Sequence, residues 1–491
     1  MCGIAGFFNV SLDVKKEILQ NLEIRGRDGF GFLAWNSPTN KNPGQWIQKS
    51  LLPPTDFFSQ NGSRFDVTLS SDIIIGNTRA IPTTEFQSGA GSDLRNQQPF
   101  TQNRYALVFN GLIANDKELI KKYNLHTDAP VDTAMLIPLF SHVGVIEGMK
   151  QLDGSFAIVV FDKIDKKFYF GKNFMPMYYA TTKDSALVVS LKEMVPDSIV
   201  DQLKEVPPYS CVVYDITDGT HTIESLYRKE RNKKAMIICS GGTDSVVTAY
   251  TYKRLGYDIT LAHFTYGQAA EEVEKFAIEQ IAKHLNAKLV VYDARPLFSA
   301  FKDASKLLSQ KEADPNQQML DAESTLSYVP NRNAIFAMII AALAEKENCG
   351  TVAFGGQQMD SVYPDNTPDF VRTVDAVLKY SLNWQTNVKF AAPLIHLIKH
   401  EIVQLGLNLG VPFDYVCSCY YPKLIDNKIV VCGKCGCCQF RFSSFKMLGF
   451  KDTQQYASLP DPKWFDGLKD WDGSLTINVD AFLNKYVRNF A

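Results

Sequence analysis

The chain has 491 residues, of which 45% are hydrophobic and 21% are charged, and its formal net charge is −2. This ordinary globular composition argues against disorder, and the balanced charge argues against a general nucleic-acid-binding protein. No apolar run approaches the roughly 18 residues of a membrane-spanning helix, and no basic segment followed by a long apolar stretch opens the chain. We therefore expect roughly two to four domains in a cytoplasmic protein with no membrane partner.

Residues 1 to about 225 alternate short apolar runs with Gly, Asn, Asp and Pro. Strand-like runs bounded by turn residues lie at 73–75, 105–109 and 156–161. Helical patterns lie near 12–24, 131–141 and 144–151. Together these patterns predict packed sheets with helices on the outside.

A charged stretch at residues 228–234 separates this region from a second pattern. There a buried-strand run at 235–239 is followed by a Gly-rich turn, a helical pattern at 246–255 and another strand at 258–264. Strand, helix and strand at this spacing predict a βαβ unit of a parallel sheet. Further strands are expected at 288–292 and 351–354, and a long apolar helix at 334–344.

The N-terminus carries a candidate nucleophile, because the chain opens Met1-Cys2-Gly3. Residue 2 is small, so we expect the initiator methionine to be removed, which leaves Cys2 with a free α-amino group. Such an amine titrates near 7.7–8.0 and can accept a proton from the thiol at neutral pH. The alternative is that Cys2 is merely an early residue of the fold.

Five segments of the first half, in this order, resemble the class II glutamine amidotransferases, which are N-terminal nucleophile hydrolases. The segments are Arg-Gly-Arg-Asp-Gly-Phe-Gly at 25–31, Gly-Asn-Thr-Arg at 76–79, Phe-Asn-Gly-Leu-Ile-Ala-Asn at 109–115, Asp-Thr at 132–133 and Leu-Asp-Gly-Ser-Phe-Ala at 152–157. Two positions depart from the family, since Asn77 stands where His is usual and Ala80 where many members have Trp. These departures bear on the shape of the glutamine pocket.

The resemblance implies a glutaminase with catalytic residues Cys2, Asn110 and Gly111 and glutamine-binding residues Thr78, Arg79 and Asp132. Arg79 would bind the carboxylate of glutamine in a bidentate fashion, and Asp132 would bind its ammonium group. The Asn110 side chain and the Gly111 backbone N–H would stabilise the oxyanion that forms when Cys2 attacks the amide. One such donor lowers the barrier by about 3 kcal/mol.

A second candidate site is the run Ser240-Gly241-Gly242-Thr243-Asp244-Ser245, which lies between a predicted strand and a predicted helix. Glycines let the backbone approach a phosphate, and consecutive N–H groups at a helix start attract anions. Asp244 could orient Mg²⁺ or the loop itself. The run resembles the pyrophosphatase-loop family, which implies cleavage of ATP to AMP and pyrophosphate. The alternative is a Gly-rich turn with no ligand.

A third candidate is a metal site, because Cys419, Cys432, Cys435 and Cys438 follow the pattern C-x12-C-x2-C-x2-C. Four thiolates at this spacing can surround Zn²⁺ tetrahedrally. Cys417 and Cys437 lie in the same segment, so the ligand set is ambiguous on sequence alone. An iron–sulfur cluster and free thiols are the alternatives.

The second half resembles 7-cyano-7-deazaguanine synthase over about 210 residues. The resemblance rests on the loop at 240–245, Phe-Thr-Tyr-Gly-Gln at 264–268, Val-Pro-Asn-Arg-Asn at 329–333, Asp-Ser-Val-Tyr-Pro-Asp at 360–365 and the Cys motif. It implies an acceptor site whose candidate residues are Tyr266, Gln268, Arg332, Asp360, Tyr363 and Asp365. Two bland alternatives stand beside this interpretation: Arg332 as a structural ion pair at a helix start, and 363–365 as a plain turn. Asn366 and Thr367 stand where that family commonly has Cys and Arg.

The interpretation that unites these motifs is a glutamine amidotransferase of 7-deazaguanine synthesis or nucleic-acid modification. Ammonia from glutamine would attack an ATP-activated 7-carboxy- or amido-7-deazaguanine, with ATP, Mg²⁺ and Zn²⁺ as cofactors. One alternative is ammonia addition to the nitrile of 7-cyano-7-deazaguanine, free or in DNA or tRNA, to form archaeosine. The others are an asparagine synthetase-like amidation and a non-enzymatic zinc-ribbon protein. The fusion of the two halves resembles archaeal and viral proteins of the archaeosine pathway. If the protein is viral, we expect it in the cytoplasm of the host cell.

The predicted fold class is α/β. We expect an αββα N-terminal nucleophile hydrolase sandwich at 1–227, a linker at 228–234, and a doubly wound parallel-sheet domain of the adenine nucleotide alpha hydrolase type at 235–450, with its four-cysteine zinc motif. Residues 451–491 form an extension of unknown role. The oligomeric state, a homodimer included, stays open.

Overall fold

A computed structural model describes residues 2–38, 40–81, 93–301, 304–305, 308, 328–360, 363–383, 386–460 and 479–483. The chain forms two compact units, Met1–Lys229 and Glu230–Ala491. Among the described helices, none has both the length and the apolar character that crossing a bilayer requires.

The first unit contains two antiparallel sheets with helices on both outer faces. Its strands are β1 (Gly3–Phe8), β2 (Phe30–Asn36), β3 (Gly44–Ser50), β4 (Ile73–Thr78), β5 (Phe100–Thr101), β6 (Tyr105–Ile113), β7 (Gly154–Asp162), β8 (Lys167–Lys172), β9 (Tyr178–Thr181), β10 (Ala186–Val189), β11 (Lys204–Glu205), β12 (Ser210–Asp215) and β13 (His221–Ser225). The sheet orders are β11-β9-β10-β1-β4-β2-β3 and β13-β12-β8-β7-β6-β5. Its helices are α1 (Leu12–Asn21), α2 (Pro54–Asn61), α3 (Asp66–Leu69), α4 (Asp116–Tyr123), α5 (Leu136–Val143), α6 (Val145–Lys150) and α7 (Asp197–Val200).

Alternation along the strands explains why this unit has four layers. In β6, Ala106 and Val108 face the core between the two sheets, whereas Leu107 and Phe109 face the outer layer that holds α5. Successive side chains of a strand point to opposite faces, so an apolar strand with this period must be covered on both sides. The second sheet is covered by α4 to α6, and the first by α1 and α2. The predicted αββα sandwich is confirmed.

The second unit is built on a five-stranded parallel sheet of order β16-β15-β14-β17-β18. The strands of this unit are β14 (Lys234–Ile238), β15 (Asp258–Thr265), β16 (Lys288–Asp293), β17 (Thr351–Phe354), β18 (Lys389–Ala391), β19 (Lys423–Ile425), β20 (Lys428–Val431) and β21 (Gln455–Tyr456). Its helices are α8 (Thr243–Arg254), α9 (Glu271–Leu285), α10 (Arg295–Phe298), α11 (Arg332–Lys346), α12 (Pro368–Ser381), α13 (Lys399–Asn408), α14 (Gly436–Met447) and α15 (Val479–Phe482).

Helices cover both faces of the parallel sheet, which confirms the doubly wound prediction. Ile237 packs in the core that holds α8, α9 and α13, and its neighbour Met236 packs in the core that holds α11 and α12. A strand buried on both faces must be apolar throughout, which is why 235–239 carries no alternation.

The strand order reverses at β14, whose two neighbours are β15 and β17. In open parallel sheets, such a reversal leaves a crevice at the carboxyl ends of the strands, where ligands bind. The loops that follow β14 and β17 meet there: a Cβ added to Gly355 would stand 2.6 Å from the backbone nitrogen of Ser245. The fold therefore gathers the motifs of the second half at one edge.

The segment that follows α14 belongs structurally to the second unit where it is described. Asp452 accepts hydrogen bonds from Arg441 in a buried ion pair, and β21 pairs with β20. Phe482 and Leu483 lie in the same core as α8 and α9. The sequence left the role of 451–491 open, and its described parts complete the packing of this unit.

Candidate active sites and a candidate metal centre

Cys2 precedes β1, a central strand of the first sheet, and lies beside the Asn110 side chain. Its backbone N–H donates to Asn110 Oδ1 at 2.9 Å. Asn110 is fully buried in β6, and its Nδ2 group has no hydrogen-bond partner among the described residues. An unpartnered buried donor is costly in a folded protein unless a ligand satisfies it. This geometry suits the predicted oxyanion donor.

Gly111 and Asp132 lie at the same end of β6 as Asn110. Gly111 has φ +146°, and an added Cβ would stand 1.9 Å from the carbonyl oxygen of Ser155 on β7, so only glycine fits. Asp132 accepts a hydrogen bond from the Ile113 backbone at 2.8 Å and from the Thr133 backbone at 2.7 Å. Its carboxylate is therefore fixed close to the predicted oxyanion segment.

Arg79 follows β4 and is 5% exposed, and its charge acts on the Cys2 thiol. Its backbone ties down the loop at 25–31, because its N–H donates to Gly29 and its carbonyl accepts from Asp28. Thr78 accepts from the Gly3 backbone at 3.1 Å and donates to the Leu22 carbonyl. The Thr78 hydroxyl thus positions the residue that follows Cys2, while its predicted contact with glutamine stays a prediction.

The Cys2 thiol has a perturbed acidity. Burial raises its pKa, and this is opposed by a backbone hydrogen bond from Ala80 and by the charges of Arg79 and Arg25. A thiol with a raised pKa is protonated at neutral pH, so attack on an amide requires a base to take its proton.

Two glutamines that the sequence analysis missed lie next to these residues. Gln98 clamps β6, since its Nε2 donates to the Phe109 carbonyl and its Oε1 accepts from the Phe109 N–H. Gln97 is fully buried, and neither end of its amide has a hydrogen-bond partner in the described part of the chain. Its amide lies 2.7 Å from the position of a Cβ on Gly29. No spacing rule marks such residues, because their partners come from distant strands.

The loop Ser240–Ser245 connects β14 to α8 at the crevice described above. Thr243 opens the helix, and both its backbone N–H and its hydroxyl lie within 3.0 Å of Ser418 Oγ. Ser245 Oγ donates to the Gly242 carbonyl at 3.0 Å and lies 3.4 Å from Ser240 Oγ. The loop is thus preformed as a cradle of hydroxyl and N–H groups, which is the arrangement that phosphates prefer.

Asp244 is bound by a lysine. The Lys399 ammonium lies 2.6 and 2.7 Å from the two carboxylate oxygens of Asp244. Burial by itself lowers the pKa of Lys399, but the Asp244 and Asp360 carboxylates raise it overall. Burial raises the pKa of Asp360, which Lys399 opposes. The two predicted carboxylates therefore share one cation, and coordination of Mg²⁺ by Asp244 would require this pair to open.

The six predicted acceptor residues line one cavity of about 500 Å³ together with the Ser240–Ser245 loop. Some of their polar groups already form hydrogen bonds within the protein. Asp365 Oδ2 accepts from the Asn333 N–H at 3.1 Å and so caps the start of α11, while its predicted contact with the acceptor base stays a prediction. Arg332 donates to the Tyr266 hydroxyl at 3.4 Å. Thr367, one of the two departures, is the N-cap of α12 and accepts from Phe370 N–H.

Three further cavity residues were not predicted: Ser418 as a partner of the loop, His263 and Glu274. His263 is buried, its Nδ1 lies 3.1 Å from the Cys239 carbonyl, and burial lowers its pKa. His263 lies in an ordinary buried strand run, so no sequence motif marks it as a cavity residue.

The four predicted cysteines Cys419, Cys432, Cys435 and Cys438 form one cluster, and their sulfur atoms all lie within 4.8 Å of one another. Sulfur separations of 3.4 Å for Cys435 and Cys438 and 3.9 Å for Cys432 and Cys438 bracket the spacing of about 3.8 Å expected around tetrahedral zinc. Backbone N–H groups of Tyr421 and Lys434 point at the Cys419 and Cys432 sulfurs, which favours thiolates. The cluster is compatible with zinc.

Cys417 and Cys437 lie outside this quartet, which resolves the ambiguity in the sequence. Cys417 is buried beside the loop, where its N–H donates to the Gly241 carbonyl. Cys437 lines the cavity instead of the metal cluster. The difference arises because α14 begins at Gly436, so that Cys437 and Cys438 project from different sides of its first turn.

Comparison with known proteins agrees with this division. Residues 91–195 match the model of a glutamine amidotransferase domain, and residues 234–449 match the model of the queuosine biosynthesis protein QueC. The 7-cyano-7-deazaguanine synthase 2 of Sulfurisphaera tokodaii is 32% identical over 93% of this chain and 100% of its own length. The 7-cyano-7-deazaguanine synthase of Nitratiruptor sp. is 40% identical over 46% of this chain and 99% of its own.

A solved allosteric enzyme of purine biosynthesis aligns with 13% identity and a TM-score of 0.39 over 78% of this chain and 94% of its own, which is too remote to add to the argument. Fold and matched models together define a glutamine amidotransferase domain joined to a QueC domain. The chain belongs to the 7-cyano-7-deazaguanine synthase family.

Proposed function

We propose that this chain makes 7-cyano-7-deazaguanine from 7-carboxy-7-deazaguanine, with glutamine as the nitrogen donor and ATP as the activating substrate. Its full-length relatives carry the name of that synthase. The observation that carries the proposal is the pairing of Cys2 and Asn110 in one unit with a preformed phosphate cradle in the other.

In the first unit, the α-amino group of processed Cys2 takes the thiol proton and the sulfur attacks the side-chain amide of glutamine. Arg79 binds the carboxylate of glutamine, and Asp132 binds its ammonium group. Asn110 Nδ2 and the Gly111 N–H stabilise the oxyanion, after which ammonia leaves and water releases glutamate. The buried unpartnered Nδ2 of Asn110 supports this role.

In the second unit, the Ser240–Ser245 loop binds the phosphates of ATP. The carboxylate of the acceptor attacks the α-phosphate, pyrophosphate leaves, and ammonia displaces AMP to give the amide. A second ATP activates the amide oxygen, and loss of AMP with two protons leaves the nitrile. Lys399 lies where it can offset the charge that develops on the phosphates, because its ammonium already lies against the loop carboxylate Asp244.

The four-cysteine cluster would hold a structural zinc. Each sulfur of a closed tetrahedral site is committed to the metal, so no open position is left for a substrate. The chemical contribution of the metal is to fix the short hairpin β19–β20 and the first turn of α14, and thereby Tyr420 and Cys437, which line the cavity.

The alternative reaction is addition of ammonia to the nitrile of 7-cyano-7-deazaguanine, free or in a nucleic acid. That addition consumes no ATP in principle, so the intact loop favours the first reaction. Mass spectrometry separates the two. The chain with glutamine and ATP is incubated with 7-carboxy-7-deazaguanine in one tube and with 7-cyano-7-deazaguanine, free and in tRNA or DNA, in the other.

Our proposal predicts amide and nitrile products in the first tube, each dependent on ATP, with AMP and pyrophosphate released. An amidine product in the second tube, with no reaction in the first, would replace our proposal by the archaeosine-type reaction. Free ammonium salt in place of glutamine serves as the control, because it bypasses the first unit.

A further inference from the structure

Glu274 is an unassigned carboxylate in the second unit. It lies on α9 and lines the same cavity as the Ser240–Ser245 loop and Arg332. The loop packs directly on this helix, since a Cβ on Gly241 would stand 3.3 Å from the Glu274 carbonyl oxygen. Neither the loop motif nor the other sequence patterns mark this residue.

Gln268 holds the Glu274 carboxylate from one side. Gln268 Nε2 donates to Glu274 Oε2 at 2.8 Å and to the Phe264 carbonyl at 3.1 Å, and its Oε1 accepts from the Tyr266 N–H at 2.8 Å. Gln268 is 5% exposed and its amide cannot turn without losing these bonds. In the part of the chain that the structure describes, Gln268 Nε2 is the hydrogen-bond donor to this carboxylate, and Glu274 lines the cavity.

Burial, with one hydrogen bond from Gln268, leaves this carboxylate under-satisfied. Burial raises the pKa of Glu274 to about 7; Gln268 and the Arg332 guanidinium oppose the rise, and Glu271 adds to it. A carboxylate that loses water and gains one hydrogen bond has unused acceptor capacity. A ligand with N–H donors would supply the missing partners.

We propose that Glu274, held by Gln268, binds the donor edge of the acceptor base, which is the edge formed by its ring N–H and exocyclic amino group. This inference rests on the proposed function and names the group that recognises its substrate. Two adjacent N–H donors match the two oxygens of one carboxylate, because each oxygen then accepts one of them. Oε2 can still do so, since its hydrogen bond with Gln268 leaves it a second lone pair.

The same contact lets the site distinguish the 7-deazaguanine ring from the adenine ring of ATP. The corresponding edge of adenine has a ring nitrogen with a lone pair beside its amino group, and a carboxylate repels that lone pair. A cavity that takes two purine-like rings needs such a distinction to keep each in its own place. Glu274 supplies it for the 7-deazaguanine ring.

The test is calorimetric binding of 7-carboxy-7-deazaguanine to the full-length, zinc-loaded chain and to Glu274→Gln. The glutamine side chain keeps one hydrogen-bond-accepting oxygen but replaces the other with an NH₂ donor. We therefore expect the Kd for 7-carboxy-7-deazaguanine to rise about 10–100-fold. Glu272→Gln is the matched control, because Glu272 is exposed on the same helix, and its Kd should stay within about twofold. Unchanged ATP affinity shows that the variants are folded.

A second ligand makes the test specific. The analogue that lacks the exocyclic amino group should bind the wild-type chain more weakly by about 10-fold, and Glu274→Gln should lose little further affinity for it. Equal losses for both ligands in Glu274→Gln, or no loss for either, would overturn the assignment. If the wild-type chain binds no 7-carboxy-7-deazaguanine, the proposed function and this inference fall together. If it binds the base and Glu274→Gln binds equally well, only this inference falls.

Discussion

In the proposed glutaminase site, the two ends of the Asn110 side chain have different roles. Its carbonyl oxygen accepts the Cys2 N–H, and its NH₂ group stays unpartnered and buried. Because an amide has a donor end and an acceptor end, one residue can both orient the nucleophile and stabilise the charge that forms on the substrate.

Gly111 is the residue whose substitution should be most informative at this scale. We expect Gly111→Ala to destabilise the chain by about 1–3 kcal/mol more than Gly144→Ala, because both glycines have positive φ but only Gly111 faces a carbonyl oxygen at 1.9 Å. Glutaminase activity should fall in Gly111→Ala alone. Thermal unfolding and glutamate release measure the two effects, and equal destabilisation by both substitutions would contradict the clash.

Most of the candidate site residues could be named from sequence because each sits in a short motif whose backbone chemistry is local. Gln97, His263 and Glu274 could not, since they lie outside the quoted motifs and only tertiary contacts reveal their environment. The buried Gln97 side chain packs against Gly29, which lies far earlier in the chain. Burial of a polar group beside a distant residue leaves no periodic trace in the sequence.

Among the secondary-structure elements, the four-cysteine cluster shows how a hairpin and a helix start can form one centre. Cys419 precedes β19, Cys432 follows β20, and Cys435 and Cys438 flank the start of α14. The hairpin folds the chain back, so that the sulfur atoms of Cys419 and Cys432 lie close enough to bind one metal ion. The sulfur positions depend on all of these elements together.

Cys432→Ser should abolish metal binding and lower the temperature of unfolding, because three thiolates leave a tetrahedral site incomplete. Elemental analysis should find about one zinc per wild-type chain and close to none in the variant. Cys417→Ser is the control, since Cys417 lies outside the quartet and its substitution should keep the zinc. Acid-labile sulfide in the purified chain would instead indicate an iron–sulfur cluster.

Helix boundaries were harder to predict than strands. The pattern at 131–141 crosses two elements, a 3₁₀ turn at Asp132–Met135 and the helix α5 from Leu136 to Val143. Asp132 accepts N–H groups from Ile113 and Thr133, and the first of these contacts comes from another strand. A hydrogen bond from another strand thus lies where the 3₁₀ turn gives way to the α-helix, a boundary that helical periodicity alone does not mark.

In the whole molecule, the proposed function divides the chemistry between the two compact units, with ammonia released in the first and consumed in the second. Each has its own cores and its own set of candidate residues. A substitution that removes one activity should therefore spare the other.

We expect Cys2→Ala to reduce glutamine-dependent synthesis by about 10³-fold or more, because the variant lacks the nucleophile. Synthesis from ammonium salts should stay within about twofold of the wild-type rate. Cys211→Ala is the control, since Cys211 is buried on the outer face of the second sheet, away from Cys2. Loss of both activities in Cys2→Ala would contradict the division of labour between the units.

The two fold classes, the order of the motifs and the presence of a cysteine cluster that could bind a metal all follow from the amino-acid sequence alone. Apolar periodicity dictates which faces are buried, and phosphate loops and metal motifs need residues close together in the chain. The folded chain was needed to show that Lys399 pairs with Asp244, that Asp365 caps a helix and that Glu274 lines the cavity. Those contacts join residues from different strands and helices, so they exist only once packing has removed water from between them.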